Sequence, residues 1–149
     1  KKFMKEAGYK GILCIEYFVS GNEFYFNEMA PRPHNSGHYS IEALDHSQYD
    51  LFARYLLDLP YEEPKIMHKS IMKNILGRDL INVDYYLKYP KSYLHMYFKE
   101  EARAKRKMGH ITFLDMDLDT FMAIEKGSIG CMLKKSLALR LNQKVCLRI

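Results

Sequence analysis

Two apolar runs that feed into a proline-stiffened polar loop set the strongest limit on how this chain can fold. Residues 11 to 19 (GILCIEYFV) and 23 to 29 (EFYFNEM) are rich in β-branched and aromatic side chains, and Ser20-Gly21-Asn22 separates them in the pattern of a β-hairpin. Directly behind the second run stands Asn27-Glu28-Met29-Ala30-Pro31-Arg32-Pro33-His34-Asn35-Ser36-Gly37-His38. Pro31 and Pro33 fix φ and remove two backbone donors, so the segment neither prolongs the strand nor opens a helix at that point. It presents a carboxylate, a guanidinium, two imidazoles and two amides from an ordered loop, which is the chemistry of a site and not of a core.

Each strand of the hairpin carries one glutamate, Glu16 and Glu28. A carboxylate inside an apolar strand is costly unless a cation meets it. Mg²⁺ suits such a pair, being a hard cation that takes one or two carboxylates together with nucleotide phosphates and water. Register decides whether the two acids can share an ion. A three-residue loop of Gly21, Asn22 and Glu23 puts Glu16 opposite Glu28 on one face, whereas a two-residue loop pairs Glu16 with Asn27. The bland alternative is that each glutamate faces solvent or pairs with a lysine. In the loop, the forked donors of Arg32 match a carboxylate or phosphate, and His34 can donate to substrate or relay a proton near neutral pH. A metal pair of His34 and His38 would need a helix that the two prolines oppose.

Further along, Tyr39 to Asp45 reads as a short helix, and Ser47-Gln48-Tyr49-Asp50 is a capping box ahead of Leu51, Phe52, Tyr55, Leu56 and Leu59, with Pro60 as the stop. Beyond the polar connection Glu62-Glu63-Pro64-Lys65 the pattern turns strand-like at 70–77, 93–98 and 110–114. Val83 to Tyr89 gives one or two helical turns, and Asp117 to Lys126 a last helix closed by Gly127. The expected class is α+β, with domains at 1–62 and 63–127 and an unassigned tail at 128–149, whose Leu/Lys/Arg alternation suits an amphipathic helix or an edge strand. A length of 149 residues with 48% hydrophobic content excludes disorder and allows one domain or two small ones.

The net charge of +5 is concentrated in Lys99 to Lys107 and in the C-terminal tail. So local a cluster suits an anionic ligand better than a long polyanion. Cys14, Cys131 and Cys146 form no CxxC, which excludes a zinc ribbon and a disulfide framework and leaves reduced, mostly buried thiols as the expectation. No apolar run is long enough to span a membrane, no signal peptide is visible, and cytoplasm is the expected location. Lys1 opens what reads as the middle of a helix, so a piece of a longer polypeptide is expected.

The wording NEMAPRPHNSGH resembles the signature of the 5-(carboxyamino)imidazole ribonucleotide synthases, ATP-grasp enzymes of purine biosynthesis. SQYDLFARYLLDLP, KNILG and the stretch from Tyr97 to His110 extend the likeness to about residues 8 to 126. The resemblance implies the second half of an ATP-grasp module, an antiparallel sheet with helices, followed by a small mainly-β C-terminal subdomain. It implies ATP and Mg²⁺, or Mn²⁺, as cofactors, with Glu16 and Glu28 as metal ligands and Asn27 beside them in cofactor binding. Arg32 and His34 then face aminoimidazole ribonucleotide and the reacting bicarbonate, and Asn35, Ser36, Gly37 and His38 shape the same pocket. Lys99, Arg106 and Lys107 hold the ribose 5-phosphate. Against the family pattern YxKExRxxRKxGH this chain has one extra residue between Lys99 and Arg106, and Ala104-Lys105 where Pro-Gly is usual, which leaves the position of Arg106 open. In the family reaction ATP phosphorylates bicarbonate, and the resulting carboxyphosphate delivers carbon dioxide to the exocyclic amine. A homodimer without membrane or specific nucleic-acid partners is implied for the whole enzyme, and the isolated 149 residues are expected not to turn over. Two other readings stand beside this one: a formate-dependent glycinamide ribonucleotide transformylase, which shares the acid pair and a PRPH-like loop, and a non-enzymatic phosphate or nucleic-acid binding module.

Overall fold

The computed structural model describes residues 2–130 and 145–148. It divides into two compact units. The first holds the described residues of Lys1–Ile41, Asp45–Lys65 and Ala138–Ile149, and the second those of Glu42–Leu44 and Ile66–Leu137. Among the described residues no helix is long and apolar enough to cross a membrane.

The first unit contains helix α1 (Lys2–Glu6), strands β1 (Cys14–Ser20) and β2 (Glu23–Ala30), and helix α3 (Gln48–Leu56). Its sheet has the order β2-β1-β6, where β6 is Val145–Arg148 and pairs antiparallel with Cys14–Tyr17. Tail residues 131–144 lie outside the described residues. The β1–β2 turn is the two-residue kind, Ser20 facing Glu23, with Gly21 at φ +59 in the first central position, where a type II′ hairpin turn requires a positive φ. That ladder carries Tyr17 opposite Phe26 and would next carry Glu16 opposite Asn27. A β-bulge intervenes instead, and Glu16 faces Glu28. Loop length thus follows one of the two sequence alternatives and the acid pairing follows the other, because Asn27 is the extra residue that reconciles them.

Pairing also sorts the faces. Tyr17 packs edge-on against Phe24 and Phe26 at 6.3 and 6.4 Å, so the aromatic face of the hairpin is the one that Glu16 and Glu28 do not share.

Helix α2 (Ser40–Ala43) is shorter than the sequence suggests, and α3 opens with the expected capping box. The Ser47 hydroxyl accepts from the backbone of Tyr49 and Asp50, and the Asp50 carboxylate accepts from Ser47 N–H at 2.8 Å. Hydrogen bonds from the Ser47 hydroxyl and then its backbone hold the Asp50 carboxyl below the usual aspartate range. A lowered folded-state pKa gives stability that is present above the unfolded value and lost as pH falls through the folded one. Ser47→Ala should therefore cost about 1 kcal/mol at neutral pH. In urea denaturation at stepped pH, the gap to the parent chain should narrow below about pH 4 as Asp50 protonates, leaving the part carried by the Tyr49 and Asp50 amides; a gap constant down to acid pH would contradict this.

The second unit is a sheet of order β3-β5-β4, built from Ser70–Leu76, Lys107–Leu114 and Ser92–Met96, all antiparallel. Ile75, Ile111 and Phe113 of one face join Tyr86 of α4 (Val83–Tyr86) and Ile124 of α5 (Leu118–Gly130) in the core. Asp117 caps α5 by accepting from Thr120 N–H at 2.7 Å. Several boundaries differ from the sequence reading: β4 ends at Met96 and not at 98, and α4 ends at Tyr86 and not at Tyr89. Strand β5 starts at Lys107 and not at His110, since Lys107 pairs with Leu76 across a second bulge. Helix α5 runs through Gly127, a cost of about 1 kcal/mol that the packing of Phe121 and Ile124 on the core offsets.

Phe98, just past β4, sits at φ +47 with 92% of its surface exposed. A bulky residue in the left-handed region carries a strain of roughly 1–2 kcal/mol, and an exposed ring recovers little of it. Phe98→Gly should raise stability by about 0.5 kcal/mol or more, the relief of strain exceeding the added chain entropy of glycine. A lower melting temperature for the variant would refute that.

Candidate functional site

The bulged hairpin and the loop behind it bring four of the expected residues together. Glu16 is the inner member, its side chain 3% exposed, while the Glu28 side chain is 54% exposed. His34 lies against both: Nδ1 is 3.6 Å from Glu16 Oε1 and Nε2 is 3.2 Å from Glu28 Oε1. Asn27 donates through Nδ2 to Glu16 Oε2 at 3.2 Å. Glu16, Glu28 and His34 each offer one ligand atom, all within 4.8 Å of one another.

Local chemistry fixes the imidazole. His34 is the N-cap of the 3₁₀ turn Asn35–Gly37, and its Nδ1 accepts from Ser36 N–H at 3.3 Å. That leaves the Nε2 hydrogen directed at Glu28. Ser36 Oγ lies 2.8 Å from the same Nδ1 and 3.4 Å from Cys14 Sγ, so the buried Cys14 thiol supports the site from β1.

Gln48 is a member of the site that the sequence reading missed. Its Oε1 accepts from His34 N–H at 2.8 Å and its Nε2 donates to His34 C=O at 2.9 Å, so one amide grips the backbone of the loop from both sides. The available signal was a polar residue at the first position of an amphipathic helix, where exposure is the rule and Gln48 is 3% exposed. Tyr9 does similar work at the other end, its hydroxyl 3.0 Å from the Ile12 and Pro31 carbonyl oxygens.

His38 and Arg32 have partners outside the Glu16, Glu28 and His34 cluster. His38 stacks on Tyr49 at 5.8 Å, and its Nδ1 is met by Gln48 Nε2 and the Tyr49 hydroxyl, both at 2.9 Å. Burial pushes the Tyr49 phenol up, so it stays a donor and Nδ1 is the acceptor. His34 and His38 therefore do not form a metal pair. Arg32 Nη1 donates to the Pro33 carbonyl at 3.0 Å on an exposed loop.

Lys99, Arg106 and Lys107 belong to the second unit. The loop that carries them is tied to backbone: Gly77 N–H donates to Arg106 C=O at 3.0 Å and Arg106 N–H to Arg103 C=O at 2.9 Å. The approach is so close that a Cβ on Gly77 would stand 2.2 Å from the Arg103 carbonyl oxygen. Arg106 Nη1 donates to Glu101 C=O, Arg103 pairs with the Glu101 carboxylate, and Lys107 is exposed at the start of β5.

A divalent cation fits the first cluster by its donor chemistry. Glu16 is a buried carboxylate, which needs a positive partner to stay ionised, and the facing Glu28 supplies a second hard oxygen toward solvent. Deleting Asn27 joins Phe26 to Glu28 and turns the bulge into a regular ladder without altering the Glu16–Glu28 pairing. The deletion should weaken Mn²⁺ binding by only about tenfold, the effect of losing an outer hydrogen bond to a ligand; calorimetric titration showing no binding at all would mean that the register moved.

Comparison with known proteins defines the class. The ATP-grasp domain model matches residues 1–49, and the model of the phosphoribosylaminoimidazole carboxylase C-terminal domain matches residues 70–123. The fold, with mixed helices and antiparallel sheets, is that of the C-terminal part of the solved N5-carboxyaminoimidazole ribonucleotide synthases. The N5-carboxyaminoimidazole ribonucleotide synthase of Staphylococcus haemolyticus is 43% identical over 122 residues, covering 79% of this chain and 32% of the relative. The Escherichia coli K12 synthase is 41% identical over 120 residues, covering 80% and 33%. Among solved structures, the Staphylococcus aureus N5-carboxyaminoimidazole synthetase aligns with a TM-score of 0.76 at 35% identity, covering 87% of this chain and 36% of that one. The Aspergillus clavatus synthase in complex with ADP and 5-aminoimidazole ribonucleotide aligns at 0.68 and 34% identity, covering 81% and 34%. By sequence and structure alike the chain matches the C-terminal part of the N5-carboxyaminoimidazole ribonucleotide synthases, and it spans about a third of the length of these relatives.

Proposed function

We propose that this chain supplies the metal-holding and substrate-phosphate-holding part of an ATP-dependent ligase that converts aminoimidazole ribonucleotide, bicarbonate and ATP to N5-carboxyaminoimidazole ribonucleotide, ADP and phosphate, in the cytoplasm. The observation that carries the reading is the convergence of Glu16, Glu28 and His34 within 4.8 Å beside the Pro31–Pro33 loop. Glu16 and Glu28 would hold Mg²⁺ or Mn²⁺, which when bound neutralises nucleotide phosphate charge. Asn27 keeps the Glu16 carboxylate oriented through its amide hydrogen bond. Arg32, on its exposed loop, offers two parallel donors to bicarbonate or to the phosphoryl group that joins it. His34 presents its Nε2–H as a hydrogen-bond donor to a developing anion, with the ring fixed by Ser36 and the loop by Gln48. Asn35, Ser36, Gly37 and His38 shape the wall of the same pocket. Lys99, Arg106 and Lys107 meet the ribose 5-phosphate.

The test is a chimera in which this chain replaces the matching 120 residues of the Escherichia coli relative. ADP release should require both aminoimidazole ribonucleotide and bicarbonate. Preference for glycinamide ribonucleotide and formate would move the assignment to the transformylase.

A further inference from the structure

We propose that Glu42, His95, His110 and Tyr97 form an inner polar array that fixes the ammonium of Lys99 as an anion ligand, which makes Tyr97 and His110 positioning residues for the substrate phosphate. The inference deepens the function proposed above and rests on Lys99 as a phosphate ligand. All five residues belong to the second unit.

His95 of β4 and His110 of β5 are register partners, and their rings stack at 4.6 Å with 11° between planes. At one end Glu42 Oε1 lies 2.5 Å from His95 Nε2. At the other the Tyr97 hydroxyl lies 2.9 Å from His110 Nδ1, and Lys99 Nζ stands 5.5 Å from the centroid of the Tyr97 ring. The Glu42 side chain is 8% exposed and His110 is 2% exposed. Groups kept this deep are a costly filling, and the opposite face of the same sheet is filled more simply by Ile75, Ile111 and Phe113.

What the array has and an apolar filling lacks is direction. Each ring is set by the one before it, and the last ring carries the cation. Tyr97 N–H donates to Met108 C=O at 2.8 Å, closing the ladder. The backbone then turns left-handed at Phe98, φ +47, and the next residue returns over the Tyr97 face. Lysine has a long flexible stem, and the π face restrains its head without consuming its charge. Arg103 is occupied by Glu101, whereas among the described residues no carboxylate pairs with Lys99. Its charge is open to an incoming anion.

A double-mutant cycle in the chimera separates positioning from mere packing. Lys99→Ala should raise KM for aminoimidazole ribonucleotide by about thirtyfold, and Tyr97→Phe, which keeps the ring and removes the link to His110, by about fivefold with kcat within about twofold. The double variant should be no worse than Lys99→Ala alone. In this chain itself, nuclear relaxation of the Lys99 side chain should show an ordered Cε that becomes mobile in Tyr97→Leu. Multiplying effects in the cycle, or Lys99 ordering unchanged in Tyr97→Leu, would overturn the inference. A silent Lys99→Ala would overturn the phosphate role of Lys99 as well, whereas a strong Lys99→Ala beside a silent Tyr97→Phe would overturn the positioning alone.

Discussion

Glu28→Ala should abolish Mg²⁺ or Mn²⁺ binding by this chain and lower ADP release by the chimera by about 10²–10³-fold, the effect of removing one preorganised electrostatic group. Glu28 is the solvent-facing ligand, and its loss opens the His34 Nε2–H to water, which replaces the carboxylate as acceptor, so stability should change by less than about 0.5 kcal/mol. The two readouts together are diagnostic: a folded protein with unchanged denaturant midpoint and no metal response. Glu16→Ala cannot make the point as cleanly, because Glu16 anchors the Asn27 amide and flanks His34 inside the unit. Calorimetric titration with Mn²⁺ is the measurement, and binding by Glu28→Ala within threefold of the parent would end the metal reading.

How much of this was readable without coordinates depends on how local each cause is. The Ser47–Asp50 capping box was legible because four consecutive residues contain its whole mechanism. The hairpin was legible from alternation and turn chemistry, and the loop from two prolines. Register was not, because the bulge at Asn27 leaves no mark in composition and reverses the face parity of everything after it. Phe26 and Glu28 stand two apart and would share a face in a regular strand, yet their partners Tyr17 and Glu16 put them on opposite faces.

The tertiary half of the site was out of reach for a different reason. Gln48 grips His34 from 14 positions away, and Glu42 meets His95 from 53, so no window on the sequence holds both partners. The start of β5 was hidden because Lys107 reads as the end of a charge run, and only pairing with Leu76 makes it a strand residue. Roles for Lys99 and Arg106 came from resemblance alone. The coordinates add that Lys99 is held by a ring and Arg106 by a carbonyl, which makes them unequal candidates for one phosphate.

Phe113→Ala should give the largest loss of stability, about 3–5 kcal/mol in the second unit. Phe113 is fully buried, and Tyr86, Tyr89 and Phe121 meet its ring edge-on at 6.2, 6.2 and 5.8 Å. Truncation leaves a cavity walled by three aromatic rings, which cannot collapse by rotating a flexible aliphatic chain into it. Phe113 also lies on the central strand of the sheet, so a shift there disturbs the β3 and β4 ladders at once. Phe113→Leu, which keeps most of the volume, should cost about 1–1.5 kcal/mol. The chain has two units and need not unfold in one step. The unfolding should therefore be followed through amides of β5 by hydrogen exchange, where protection at Ile111 and Thr112 reports this core directly. A loss below about 1 kcal/mol in Phe113→Ala would mean that the sheet is held by its ladder and not by the aromatic cluster, and the positioning of Lys99 through β4 and β5 would then need another source of rigidity.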